Sequence, residues 1–257
     1  MEFTTLVSGS TGNCIYVRGG NTRVLVDCGC SLRYLRQALA NFEVSLDDID
    51  AVLITHEHTD HICGLMPLIK YGIPVFASPL TWQNIPSTDA IPTQKKHIFG
   101  YNMEIGQIQV DFFKLSHDAV QPVGMVFRHG KHSVGVATDT GEPTSSMMKA
   151  LQNVTGLVLE ANHSSRLLNE GPYPVFLKRR IASNLGHLSN LQSAHCLKKL
   201  AGKDTQAVLL AHLSKVNNTM ETALSEVKQE VEREPGINGF QLSAAFAKAP
   251  HPLISLI

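Results

Sequence analysis

The sequence predicts an α+β chain: a β-sandwich with helices on its outer faces, folded as a single domain over residues 1–257. Three observations carry this. Short runs rich in β-branched residues, bounded by Gly and Asn, open the chain and recur in its middle. Helix-period segments alternate with apolar runs too short to be helices. Several of those apolar runs end on a His or an Asp.

The elements follow in order. "FTTLVSG", "NCIYVRG" and "TRVLVDCG" read as three strands. Leu32, Leu35, Leu39 and Phe42 then keep helical spacing, and Ser31 before them suits an N-cap. "AVLIT" is a short apolar strand, "ICGLMPLIKYG" a helix closed by Gly72, and "PVFAS" the next strand. "QIQVDFFKLSH", "GMVFRHG" and "HSVGVATDTG" return to β structure, with "RHGKH" as a hairpin turn. "TGLVLEAN" and "QAVLLAHLS" are apolar strands, and helices over roughly 174–183 and 191–201 lie between them. A last helix, with Met220, Leu224, Val227 and Val231 on one face, precedes a strand at "FQLSAAF". Solenoid repeats, low-complexity tracts and linkers are absent.

Composition narrows the class. Lys plus Arg number 22 and Asp plus Glu number 22, so no global charge marks a nucleic-acid coat or a membrane binder. A hydrophobic content of 43% is that of an ordinary globular protein with a substantial core. "MEFTTLVSGS" lacks a basic stretch followed by an apolar one, so no signal peptide is expected. No apolar run approaches the roughly 18 residues that cross a bilayer. Five cysteines, an odd number without zinc-knuckle spacing, read as reduced thiols of a cytoplasmic protein. Cys63 is the one to watch, two residues after the segment that decides the chemistry.

That segment is "HEHTDH", residues 56–61. It lies just past a strand. Residues two apart on an extended chain point the same way, so His56 and His58 can grip one metal together. Asp60 and His61 follow after the chain has turned. This is more donor capacity than one tetrahedral ion takes from a single segment, so two metals are expected. The further donors stand at strand ends: His117 after "FFKLS", Asp139 after "VGVAT" and His212 after "AVLLA". Asp139 is the candidate to bridge, because a carboxylate has two oxygens to share. His97, His129, His132, His195 and His251 lack such a setting and read as surface or packing residues.

With these residues in place the chain resembles the metallo-β-lactamase fold superfamily, an αββα four-layer sandwich whose signature His-x-His-x-Asp-His stands at His56–His61. Within it the resemblance is to the bacterial YycJ/WalJ group of metal-dependent hydrolases, through "SGSTGNCIYV", "LVDCG", "EANHS", "NEGPYPVFLKRRIASNLGHLSN" and "LAHLSKVNN". The resemblance implies that His56, His58 and His117 hold one ion, that Asp60, His61 and His212 hold the other, and that Asp139 bridges. It also implies exonuclease action on DNA, DNA more than RNA, without a membrane. Ribonuclease J carries a large domain between its bridging Asp and its final His. The stretch from Asp139 to His212 has no room for one, and no insertion resembles the tRNA-gripping arm of ribonuclease Z.

Two divalent ions about 3.5–4 Å apart can clamp both the attacking and the leaving oxygen of a phosphodiester, with the water between them as nucleophile. Zinc suits a His-rich set; manganese and iron accept His with carboxylate as well. Asp60 and His187 are the catalytic candidates. His187, in "GHLSN", matches in position a His that assists leaving-group departure in ribonuclease Z. Lys178, Arg179 and Arg180 are candidates for phosphate contact, and Asn162 and Asn218 for substrate or ligand orientation. The "SGSTGN" turn offers either an anion-binding nest or, the favoured reading, a plain turn between the first two strands packed below the site. The competing reading is a two-metal hydrolase of a small phosphodiester, a lactone or a thioester, since the same ions serve acyl chemistry.

Overall fold

The computed structural model describes residues 1–86, 88–233 and 239–257. Within them two seven-stranded sheets pack face to face. The first holds β1 (Glu2–Val7), β2 (Cys14–Gly19), β3 (Thr22–Val26), β4 (Ala51–Leu53), β5 (Val75–Ala77) and β6 (Lys96–Ile98). The second runs through β7 (Asn102–Ile105), β8 (Ile108–Lys114), β9 (Val123–His129), β10 (His132–Ala137), β11 (Gly156–Glu160), β12 (Ala207–Ala211) and β13 (Gln241–Ala244). β14 (Ile254–Ser255) returns to the first sheet beside β1. Both sheets share one plan: antiparallel hairpins first, then parallel strands (β3 to β6, and β10 to β13).

Nine helices cover the outer faces among the described residues. α1 (Leu32–Ala40), α2 (Thr59–Ile62), α3 (Leu65–Tyr71) and α4 (Pro79–Asn84) belong to the first half. α5 (Ser145–Leu151), α6 (Ser165–Glu170), α7 (Val175–Ile181), α8 (Asn190–Leu200) and α9 (Met220–Val231) belong to the second. The layers follow from period-two alternation along the strands. Leu25 and Val52 meet Leu35, Leu39 and Leu68 of the helices, whereas their neighbours Val24 and Leu53 meet Val110, Phe127 and Leu209 of the other sheet. On β11, Leu157 and Leu159 join Leu151, Leu197 and Val227 of the outer helices, while Val158 faces inward. Covered on both sides, β11 and β12 are buried throughout, which is why they read as unbroken apolar runs.

The predicted helices at 32–42, 174–183, 191–201 and 220–231 form with small shifts, and Ser31 accepts a hydrogen bond from Tyr34 N as the expected N-cap. The helix expected from residue 62 starts at Leu65. Gly64 separates it from α2; a Cβ there would lie 2.1 Å from the Cys30 carbonyl oxygen. Periodicity did not show α4, α5, α6, β6, β7 or β14, each at most seven residues long. No helix among the described residues is long and apolar enough to cross a membrane.

Candidate metal centre

β8, β10, β11 and β12 run in one direction, so their C-terminal ends reach one edge of the sandwich. His117, Asp139, Glu160 and His212 stand there, opposite the segment that leaves β4. That segment is built around Asp27, the residue after β3. Its carboxylate accepts from Thr55 N and from the Thr55 hydroxyl, each at 2.8 Å, and faces His61 Nδ1 at 2.7 Å. A carboxylate can only accept, so His61 donates through Nδ1 and turns Nε2 toward Asp139 and Asp60. Backbone bonds pin the turn: Asn13 N donates to the Asp60 carbonyl and Cys28 N to the His61 carbonyl, both at 2.8 Å. The loops approach so closely that a Cβ on Gly29 would lie 1.6 Å from the Asp60 carbonyl oxygen, and one on Gly12 2.2 Å from that of Gly29.

The turn divides the donors into two groups, each with potential ligand atoms within 4.8 Å of one another. His56, His58 and His117 make one; Asp60, His61 and His212 make the other. Asp139 lies between them. Its Oδ1 is 3.7 Å from His117 Nε2 and 3.4 Å from His212 Nδ1, and its Oδ2 is 3.2 Å from His61 Nε2. All seven residues singled out from the sequence therefore meet. Asp27, Asp139 and His212 take left-handed backbone (φ 62°, 62° and 55°), a conformation that clusters where function demands it.

Three buried polar atoms here have no hydrogen-bond partner: His56 Nε2, His212 Nε2 and Asp139 Oδ2. Buried polar atoms are ordinarily paired, and imidazole with carboxylate is a donor set for divalent metals. The cluster therefore suggests divalent metal binding. Its protonation fits the same reading. Burial drives His56 well below its ordinary pKa, with the charge of His61 adding to the effect. Burial also opposes a charge on His212, but Asp139, Asp60 and Glu160 outweigh it and push the ring up to about 10. Asp139 is likewise penalised by burial, yet His212 and His61 hold it well below the usual carboxylate range. Asp139 and Asp27 likewise raise the pKa of buried His61, so the carboxylates of the cluster favour positive charge at both His61 and His212.

Glu160 was not among the sequence candidates. It is fully buried at the end of β11. Its Oε1 accepts from His187 Nδ1 and from His212 Nδ1, both at 2.8 Å, and its Oε2 accepts from Thr140 N and Leu188 N. Both rings spend Nδ1 on this carboxylate and turn Nε2 elsewhere. Burial works against charge on His187, and Glu160 outweighs it, so the ring's pKa is raised. An acid closing an all-apolar strand was the available signal; the same signal marked Asp139 and His212. His163, also buried, has an unpartnered Nδ1, and burial lowers it to about 4.

The cluster opens into a cleft of about 320 Å³, walled also by Ser10, Asp118, Leu177, Arg180 and Ile181. Of the three basic candidates only Arg180 lines it. Its guanidinium holds Asp118 at 2.5 and 2.8 Å, and Asp118 is 3.3 Å from His117 Nε2. Lys178 instead donates to the Asn169 carbonyl at 2.7 Å, and Arg179 does not line the cleft. Asn162 and Asn218 do not face it either. Both are buried; Asn162 Nδ2 donates to the His212 carbonyl, and Asn218 Nδ2 to the Ala161 and Asn162 carbonyls and Asn190 Oδ1. They hold the ligand-bearing loops, the ligand-orienting one of the two roles expected of them, and do not line the cleft where substrate contact would fall. Cys63 is exposed at the end of α2 and belongs to neither group. The "SGSTGN" turn packs against the site as expected: Ser8 Oγ accepts from His212 N, and Asn13 Nδ2 donates to Asp60 Oδ2.

A four-layer αββα sandwich with a His/Asp cage at one edge defines the metallo-β-lactamase fold. Residues 22–213 match the family described as the beta-lactamase superfamily domain, and the chain belongs to that superfamily. It is 36% identical over 250 residues to exodeoxyribonuclease YycJ of Bacillus anthracis, covering 96% of this chain and 93% of that one. Against exodeoxyribonuclease WalJ of Streptococcus pneumoniae it is 37% identical over 243 residues, covering 92% and 90%. Among solved structures, the metallo-beta-lactamase fold protein YhfI from Bacillus subtilis superposes with a TM-score of 0.73 over 97% of this chain and 98% of that one, at 19% identity, a likeness of fold. The superfamily and fold read from His56–His61 and the strand-end donors are borne out.

Proposed function

We propose that this single-domain protein is a cytoplasmic, dinuclear metal-dependent nuclease that cleaves DNA phosphodiesters in exonuclease fashion. The observation that carries the reading is two triads of donors with one carboxylate, Asp139, between them. His56, His58 and His117 would hold one ion, Asp60, His61 and His212 the other, with Asp139 shared. Zinc or manganese suits these donors, and iron fits as well. Such ions supply Lewis-acid stabilisation of phosphoryl charge and make water acidic enough to attack near neutral pH. The names of two relatives that align over nine-tenths of their length support DNA as the substrate. Five unpaired cysteines support a reducing compartment.

The chain's own residues supply the rest. His187 donates the proton that the departing sugar oxygen needs, from Nε2, while Glu160 holds Nδ1 and favours the imidazolium. Asp60 is a ligand whose carboxylate also faces the cleft, where Asn13 steadies it. Arg180, tethered by Asp118, meets a phosphate at the cleft wall. The test is a metal-titrated assay on end-labelled single- and double-stranded DNA and RNA, with bis(p-nitrophenyl) phosphate and a thiolactone alongside. Stepwise release of nucleotides from DNA is expected. Turnover of the thiolactone or of the small diester with no nucleic acid cut would transfer the reading to a small-substrate hydrolase.

A further inference from the structure

A polymer substrate must leave the metal cleft, and the structure offers a second cavity beside it. This one, about 540 Å³, opens at the same edge of the sandwich, past the ends of β5, β6 and β8. Its walls are Phe99, Tyr101, Phe112 and Phe113, with Lys114 and Ser146 among the polar groups. Phe99 and Phe112 stack with ring centroids 3.9 Å apart and planes 8° from parallel. Tyr101 is 92% exposed, although its carbonyl is fixed by Phe112 N at 2.9 Å. The Lys114 carbonyl accepts from the Thr144 and Ser146 hydroxyls, and Lys114 is exposed in the cavity wall.

One loop joins the two cavities. Asp118 walls the metal cleft, and Gln121 and Pro122 wall the aromatic cavity. Four residues of chain reach at most about 14 Å. Val120, 47% exposed, lies between, and its N–H is held by the Glu57 carboxylate at 2.7 Å. The loop is therefore a short, fixed ridge with phosphate chemistry on one side and aromatic faces on the other.

Resting on the nuclease reading, we infer that the aromatic cavity is a nucleobase subsite for an unpaired part of the substrate strand. The base stacks on Tyr101 beside the Phe99–Phe112 pair, and Lys114 meets the adjoining phosphate. Every base has a π-face, so this grip works without sequence preference. A base inside a duplex has both faces covered, so the subsite selects single-stranded or frayed ends.

The test uses a single-stranded DNA oligonucleotide and bis(p-nitrophenyl) phosphate, which needs only the metal cleft. Tyr101→Ala is expected to raise KM for the oligonucleotide about tenfold, a loss typical of one stacked base. The small diester should be cut as by the unaltered protein. Tyr101→Phe should restore the oligonucleotide KM. One abasic position in the oligonucleotide should cost the unaltered protein the same factor and cost Tyr101→Ala nothing more. An unchanged oligonucleotide KM in Tyr101→Ala, equal losses on both substrates, or failure of Tyr101→Phe to restore KM would each overturn the subsite. A wild-type protein that cuts the small diester and no oligonucleotide overturns the nuclease reading itself, and the subsite with it.

Discussion

The two sides of the cleft are made differently. On the cage side, His56, His61, Asp139 and His212 are at most 2% exposed, Asp27 and Glu160 hold His61 and His212 through buried hydrogen bonds, and Asn13 holds Asp60. On the facing side, α7 buries none of its residues, and Val175 and Phe176 are 63% and 74% exposed. The cage is over-determined by packing. The α7 wall is set by a few surface side chains and the Arg180–Asp118 pair. Damage to the cage should therefore abolish reaction on every substrate, whereas damage to α7 should be graded and depend on the substrate.

The sharpest way to break this contrast is Asp139→Ala. It removes the carboxylate between both triads, so metal content should fall at both sites and hydrolysis of every substrate should drop below detection. Elemental analysis with rate measurement checks it; full metal content and activity would remove Asp139 from its bridging place.

His187→Ala should come next. Metal content should stay near wild type while the rate on an ordinary phosphodiester falls about 10²–10⁴-fold. A nitrophenolate leaving group needs little protonation, so bis(p-nitrophenyl) phosphate should lose far less. Equal losses on the two, with metal retained, would leave His187 at most a positioning role.

Glu160→Gln should follow, at roughly tenfold or more, with a signature of its own. Glu160 raises the His187 pKa, and a general acid works only while protonated. Removing that charge lowers the pKa, so the alkaline limb of kcat should move to lower pH. An alkaline limb that did not move would detach Glu160 from proton transfer.

Arg180→Ala should have the smallest effect: a few-fold rise in KM for DNA and a salt dependence flatter by about one phosphate contact. Arg179→Ala should behave as wild type. If the two variants behaved alike, Arg180 would lose its place as the phosphate contact on the cleft wall.

Much of the cage was legible in the sequence because ligand-type residues closed apolar runs, and runs of that kind end at a sandwich edge. Asp27 and Glu160 carried the same mark, in "LVDCG" and "LVLEAN". Their task, however, depends on which strands lie alongside. Glu160 serves His212 because parallel pairing sets it opposite Ala211, a register that only the folded sheet reveals. The α7 wall was less legible for a geometric reason. Consecutive helical residues point about 100° apart, so a run such as Lys178-Arg179-Arg180 cannot send all three side chains one way. For Asn162 and Asn218 the sequence leaves two roles open, because an amide near a ligand can serve backbone carbonyls as readily as substrate. The short α4, α5 and α6 span too few turns to show a period.

Gly12 and Gly29 do not line the cleft, yet neither position admits even a methyl group without moving backbone: at Gly29 it would strike the backbone of Asp60, and at Gly12 the backbone of Gly29 itself. A variant at either position would therefore present itself, in a screen scored by activity, as a defect of the active site. It would resist rescue by added metal, because the fault would lie in the seat of the turn and not in its ligands. Mutational tolerance in this protein thus should not decline smoothly with distance from the chemistry. It should drop abruptly at two glycines that no inspection of the reacting groups would single out.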